Sequence, residues 1–172
     1  MQRMIQASFR LPPVVAAAMA LWLTAGGCGP YSFNPAGRQE YASVAIPLFE
    51  NRTREYGIRE LLTEGVINGF IQDGTLPVVN ERRAEAVLHG TVTQFVRQPF
   101  TYKADETVQQ YRVIITISAR LEDPVRRNVI WEEGEMVQWG IYEAETETED
   151  QGKVRAIAKM AEDIVNRTVK GW

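Results

Sequence analysis

The 172 residues carry 19 basic and 22 acidic side chains, one histidine and one cysteine, for a formal charge of −3. That balance lacks the overall basic footprint of a nucleic-acid binder, and a lone cysteine excludes an internal disulfide framework. The length suits one ordinary domain around one hydrophobic core.

Residues 1–27 contain Arg3 and Arg10, no acidic residue, and an apolar run from Val14 to Leu23. A basic start followed by about ten apolar positions reads as a secretory signal. The run is too short to span a bilayer, which takes about 20 residues. Cys28 follows in the context Thr24-Ala25-Gly26-Gly27-Cys28-Gly29. This resembles a bacterial lipoprotein signal, in which the cysteine is diacylated on sulfur and becomes the first residue after cleavage, although Ala25 stands where such signals usually have Leu. A small buried cysteine and ordinary signal cleavage are the alternatives. An unpaired cysteine in an exported chain should be modified, cross-linked or reactive, and lipid attachment fits its neighbours best. Residues 28–41, with Pro30, Pro35 and Gly37, then read as a lipidated tether, and residues 42–172 as the folded domain. Losing Arg3 and Arg10 with the signal moves the formal charge from −3 to −5.

Val44, Ile46 and Leu48 alternate with other residues over Ala42–Phe49, as in a strand. Pro47 places that strand at a sheet edge or ends it. Asn51-Arg52-Thr53 is a polar turn, and formally a glycosylation sequon that a bacterial reading sets aside. Ile58, Leu61, Leu62, Val66, Phe70 and Ile71 follow at the spacing of one helix face, which Asp73-Gly74 should terminate.

Ala86 to Tyr102 reads as a strand with Leu88, Val92 and Val96 on one parity, and Gly90 marks a close approach or a bulge. Gln110 to Glu122 alternates most clearly. Tyr111, Val113, Ile115, Ile117, Ala119 and Leu121 face one way, and Arg112, Thr116, Ser118 and Arg120 the other, with Ile114 an exception. The five-residue link 103–107 makes these two a long hairpin. Asp123-Pro124 starts the turn into a less regular strand, Val129 to Ile141, expected to break near Gly134. Val154, Ile157, Ala158, Ala161, Ile164, Val165, Thr168 and Val169 form a closing helical stripe. The order β-α-β-β-β-α predicts an α+β two-layer sandwich. It would be a four-stranded, mainly antiparallel or mixed sheet with two helices on one face.

Catalytic signatures are sparse. Cys28 belongs to the signal, and His89 falls within a strand as a surface residue, so no Cys–His or Ser–His–Asp set has a foundation. No phosphate loop or metal motif is present. The acidic run Glu143–Asp150 reads as a solvated helix cap favoured by the helix dipole, and Glu132, Glu133 and Glu135 as an exposed strand face. Those three are the only basis for a carboxylate enzyme. At the hairpin tip Phe100, Tyr102 and Lys103 join aromatic rings to a cation, a combination suited to an amphipathic anion or, more plainly, to a solvated turn.

Several segments in order resemble the lipopolysaccharide-assembly lipoprotein family LptE. They are Cys28-Gly29-Pro30-Tyr31-Ser32-Phe33, Val44 to Thr53, Leu62-Thr63-Glu64, Ala84 to Gly90, Tyr111-Arg112-Val113, Leu121-Glu122-Asp123 and Val129-Ile130-Trp131. The resemblance implies a non-enzymatic lipoprotein of the outer membrane, facing the periplasm and held by the lipid on Cys28, with no other cofactor. It would sit inside the large LptD β-barrel and assist delivery of lipopolysaccharide to the outer leaflet. The family is thought to bind lipopolysaccharide through basic residues near loops. Lys103 is the counterpart of one, with Tyr102 and Phe100 beside it. The second such position falls in Glu143–Asp150, where acids replace it, and like charges there would repel phosphate. Gly29 also lacks the aspartate that marks inner-membrane retention in some bacteria. Val44 to Asn51 resembles first strands of other envelope lipoproteins too. A module of a secretion channel or a peptidoglycan-synthase activator is therefore the competing expectation.

Overall fold

The computed structural model describes residues 41–170, so Cys28, the signal and the tether up to residue 40 lie outside the described residues. Tyr41, expected as the last tether residue, is buried in the core and donates from its hydroxyl to Thr168 O at 2.7 Å. The elements are β1 (Val44–Ala45), β2 (Glu50–Asn51), α1 (Ile58–Asp73), a 3-10 turn (Glu81–Arg83), β3 (Ala86–Tyr102), β4 (Val108–Asp123), β5 (Asn128–Glu143) and α2 (Glu149–Lys170). The long strands β3, β4 and β5 run antiparallel in order, and β1 and β2 both pair parallel with the outer side of β3. α2 packs on β5 and β4, and α1 on α2, β2 and β3, so both helices cover one face. The expected α+β order and two layers hold, with the first strand divided in two.

Pro47 explains the division. Without an N–H it cannot extend the ladder, and the chain leaves the sheet between Ala45 and Glu50. The Phe49 N–H finds a partner off the sheet, donating to Thr63 Oγ1 at 3.0 Å, while that hydroxyl donates to Arg59 O at 2.6 Å. This ties the detour to α1 and leaves a buried N–H satisfied. The Phe49 ring then fills the space above Gly90, where an added Cβ would overlap it. The close approach expected at Gly90 is therefore real, and Phe49 is its cause.

β4 buries Val113, Ile115, Ile117, Ala119 and Leu121 beneath the helices, as a period of two requires. β3 departs from its expected parity. Its register runs Val92 to Ile117 and then Gln94 to Thr116, so Thr93 is an extra residue. One inserted residue exchanges the faces of everything beyond it. Phe95 and Arg97 take the helix side, and Val96, expected beside Leu88 and Val92, moves to the open face. Nor does β5 break near Gly134. The pairs Ile117 to Met136 and Ala119 to Glu133 place a bulge at Gly134 and Glu135, and the strand continues.

α1 begins after Gly57 in the left-handed region (φ 73°) and has no side-chain cap. It ends at Gly74 (φ 71°), whose N–H donates to Phe70 O at 3.0 Å. Asn51 closes its own turn instead, accepting from the Thr53 N–H at 2.8 Å and donating to Glu55 O at 2.8 Å. Ile58, Leu62, Val66 and Phe70 are buried, whereas Leu61 and Ile71, expected with them, are exposed. α2 starts earlier than its apolar stripe suggested. Thr148 precedes it, and its N–H donates to Gln151 Oε1 at 2.8 Å, half of a capping box. Val154 and Ala158 face solvent, while Ala156 and Met160 are buried with Ile157, Ala161, Ile164 and Val165. This helix serves two neighbours. One flank lies on the sheet, and Ile157 and Ala161 meet α1 at Gly65 and Gly69.

Candidate functional site: the open sheet face and the hairpin tip

β4 alternates, so the residues between its buried ones reach the face that no helix covers. Cross-strand register arranges them in rungs: Gln94–Thr116–Val137, then Val96–Ile114–Trp139, then Gln98–Arg112–Ile141. The odd apolar residue Ile114 is the middle of an apolar rung. Val137 is 46 % exposed and Trp139 41 %. Trp139 lies at the rim of the sheet, where Lys159 of α2 stands 3.8 Å from the ring centroid and donates to Trp139 O at 2.9 Å. Arg155 likewise donates to Ile141 O at 2.5 Å. Sequence reasoning missed this band because Val96 joins it through the Thr93 bulge, and the register of β5 was not readable. Ile114, apolar among polar neighbours, was the one available signal.

The cations of this face differ in their partners. Toward one end Glu122 lies 3.2 Å from His89 and 3.1 Å from Arg120. Toward the hairpin, half-buried Arg112 stacks its guanidinium 5.2 Å from the Phe100 ring centroid. No carboxylate among the described residues pairs with it, and its buried Nε has no hydrogen-bond partner. The nearby Glu143 carboxylate accepts from Gln110 Nε2 at 2.5 Å.

The fold gives the three hairpin residues different partners. Phe100, 41 % exposed, engages Arg112, and Tyr102 is 60 % exposed. Lys103 contacts Glu145 at 2.5 Å, and that bond raises the Lys103 pKa. Glu145 belongs to the acidic run, so the chain folds an acid onto the cation expected to meet phosphate.

The rest of that run is also paired. Arg97 donates through Nε to Tyr142 Oη at 2.5 Å, lies 3.8 Å from the Tyr111 ring centroid and 3.4 Å from Glu149 Oε2. Lys153 is buried among Glu55, Glu149 and Asp150, the last two at 3.3 Å. Desolvation opposes its charge, but the carboxylates outweigh that cost and raise its pKa. The Glu147 carboxylate accepts from Arg155 and from the Glu143 N–H, each at 2.8 Å, which lowers its pKa from 4.5 to about 2. A depressed carboxylate stabilises the fold above its unfolded pKa and loses that contribution as pH falls toward the folded value. Wild type should therefore lose more urea-midpoint stability between pH 4.5 and 2 than Glu147→Gln. Parallel pH profiles would remove Glu147 from the account of acid sensitivity.

The carboxylates on which an enzyme reading rested are dispersed. Glu133 pairs with Arg167 at 3.2 Å, and Glu132 and Glu135 are exposed. Among the described residues no cluster of three or more His, Cys, Asp or Glu is placed to hold a metal ion. No helix among them is long and apolar enough to cross a membrane.

Solved structures share the fold. Protein XCC0632 from Xanthomonas campestris superposes with a TM-score of 0.54 at 13 % identity, over 80 % of this chain and 90 % of that one. Protein CT253 from Chlamydia trachomatis gives 0.51 at 10 % identity, over 76 % and 97 %. The PelC dodecamer from Paraburkholderia phytofirmans gives 0.46 at 16 % identity, over 70 % and 86 %. At these identities the likeness to the first two is one of fold alone. No curated protein sequence matches the chain. A family model does, described as LptE: Lipopolysaccharide-assembly, over residues 41–168. That span takes in every strand and nearly all of both helices, and the chain belongs to the lipopolysaccharide-assembly family LptE.

Proposed function

We propose that this chain is a non-catalytic lipoprotein of the outer membrane, held by lipid on Cys28, that plugs an LptD-type β-barrel and assists lipopolysaccharide transport to the outer leaflet. The family match over residues 41–168 carries this reading. The uncovered sheet face supports it, because a half-polar surface with a central apolar rung suits the polar interior of a large barrel. The lipid would add an anchor at the inner leaflet, with stable residence requiring more than one acyl chain. Phe100, Tyr102 and Lys103 remain the candidate lipopolysaccharide contacts. A phosphate reaching Lys103 must displace Glu145, which makes this a weak subsite when the domain is alone.

The test is purification of the tagged full chain from its own outer membranes, with mass spectrometry of the chain and its company. Recovery of an LptD-like barrel together with an acylated Cys28 is the expected result, and depletion should lower surface lipopolysaccharide. Clean recovery with a peptidoglycan synthase, a secretion channel or only further copies of the chain would overturn the reading.

A further inference from the structure

The open face is unevenly neutralised. Its far end balances His89 and Arg120 against Glu122, while Arg112 near the hairpin has, among the described residues, only the Phe100 ring. A guanidinium presents five donors. The buried Nε of Arg112 is left without an acceptor at a cost to the fold, and its terminal Nη groups, which are not buried, are the donors that a partner can reach. Val96, Ile114 and Trp139 form the rung beside it. A surface laid over that rung would expel water and strengthen any charge pair at Arg112.

We infer that the hairpin half of this face is covered by the wall of a partner protein that presents an aspartate or glutamate to Arg112. This rests on the barrel reading above, in which that wall is the barrel interior. Charge complementarity carries this choice: no carboxylate among the described residues pairs with Arg112, and the apolar rung beside it offers a sheet surface on which a protein wall can lie. A guanidinium forms two parallel hydrogen bonds with a carboxylate or a phosphate alike, so a lipid anion is the alternative that the experiment separates.

The experiment co-expresses the full chain with the LptD-like barrel of its own organism and measures barrel recovered per tagged chain. Arg112→Glu should lower recovery about thirtyfold or more, the range for breaking a desolvated charge pair. Arg112→Lys should fall between, because it keeps the charge and loses the fork. Circular dichroism melts of each variant report folding. Should Arg112→Glu fail to fold, Arg112→Gln takes its place and must also reduce recovery. Full recovery with either folded variant overturns the inference while leaving the barrel reading intact. Absence of any barrel with the wild-type chain overturns that reading itself. Unchanged barrel recovery with weakened lipopolysaccharide binding by the purified variant would assign Arg112 to the lipid and sink the proposal.

Discussion

Gly140→Ala is expected to unseat helix α2 and to lower stability by about 3 kcal/mol or more, the upper range for overpacking a close contact. A Cβ at position 140 would overlap the carbonyl oxygen of Gly152 and lie 2.9 Å from the Ala156 nitrogen. Both are backbone atoms, so no rotamer change relieves the clash. The helix must lift off β5, and Tyr142, 4 % exposed and packed on Gly152, would lose its cover. Gly134→Ala is the matched control. Its Cβ would meet nothing within 4 Å, so its effect should stay within about 0.5 kcal/mol. Urea unfolding followed by far-UV circular dichroism compares the two. Equal midpoints would show that α2 does not depend on the Gly140 crossing.

The second large effect concerns Phe49. Its ring is buried under the sheet detour at Pro47, and Phe49→Ala should cost about 3–5 kcal/mol through lost burial and the cavity left behind. Gly90→Ala should cost about 1–3 kcal/mol by pressing a methyl into that same ring. Phe49→Leu removes two of the three ring atoms that the methyl would strike, Cε2 and Cζ. The double variant Phe49→Leu with Gly90→Ala should therefore be more stable than the sum of its parts by about 1 kcal/mol. Additive losses in a double-mutant cycle would mean that the ring and the glycine do not share one space.

These two glycines also mark how far sequence could reach. The alternation of β4 was readable because only one face of its sheet is buried, and a period of two then writes itself into the residues. β3 was readable only to Val92. The bulge at Thr93 leaves no residue signature, since threonine is an ordinary strand residue, yet it moves Val96 across the sheet and creates the apolar rung. α1 was misread at Leu61 and Ile71, where apolar residues lie outside the packed stripe, and α2 at Val154 and Ala158, because its buried surface is shared between a sheet and a helix. Lys153 was unreadable as a buried residue. Its burial depends on Glu55, nearly a hundred positions away and brought to it by the fold. The hairpin tip was located correctly at Phe100 to Lys103. Its electrostatics were not, because the partner of Lys103 comes from the acidic run beyond β5.

The reach of Arg155 and Lys159 from α2 to the outer carbonyls of Ile141 and Trp139 bears on how this protein can assemble. Those oxygens are what an incoming strand would pair with, and edge strands left open invite such additions. At the other margin Val44 bonds to Pro77 and Val79, so β1 is occupied as well. The remainder of β5 carries Glu132, Glu133 and Glu135, and a second copy aligned there would bring acid against acid. Growth by strand addition is thus discouraged along β5 and at β1, whereas β3 beyond Val92 carries no strand on its outer side among the described residues. Self-association through that stretch and docking through the broad face therefore draw on different surfaces.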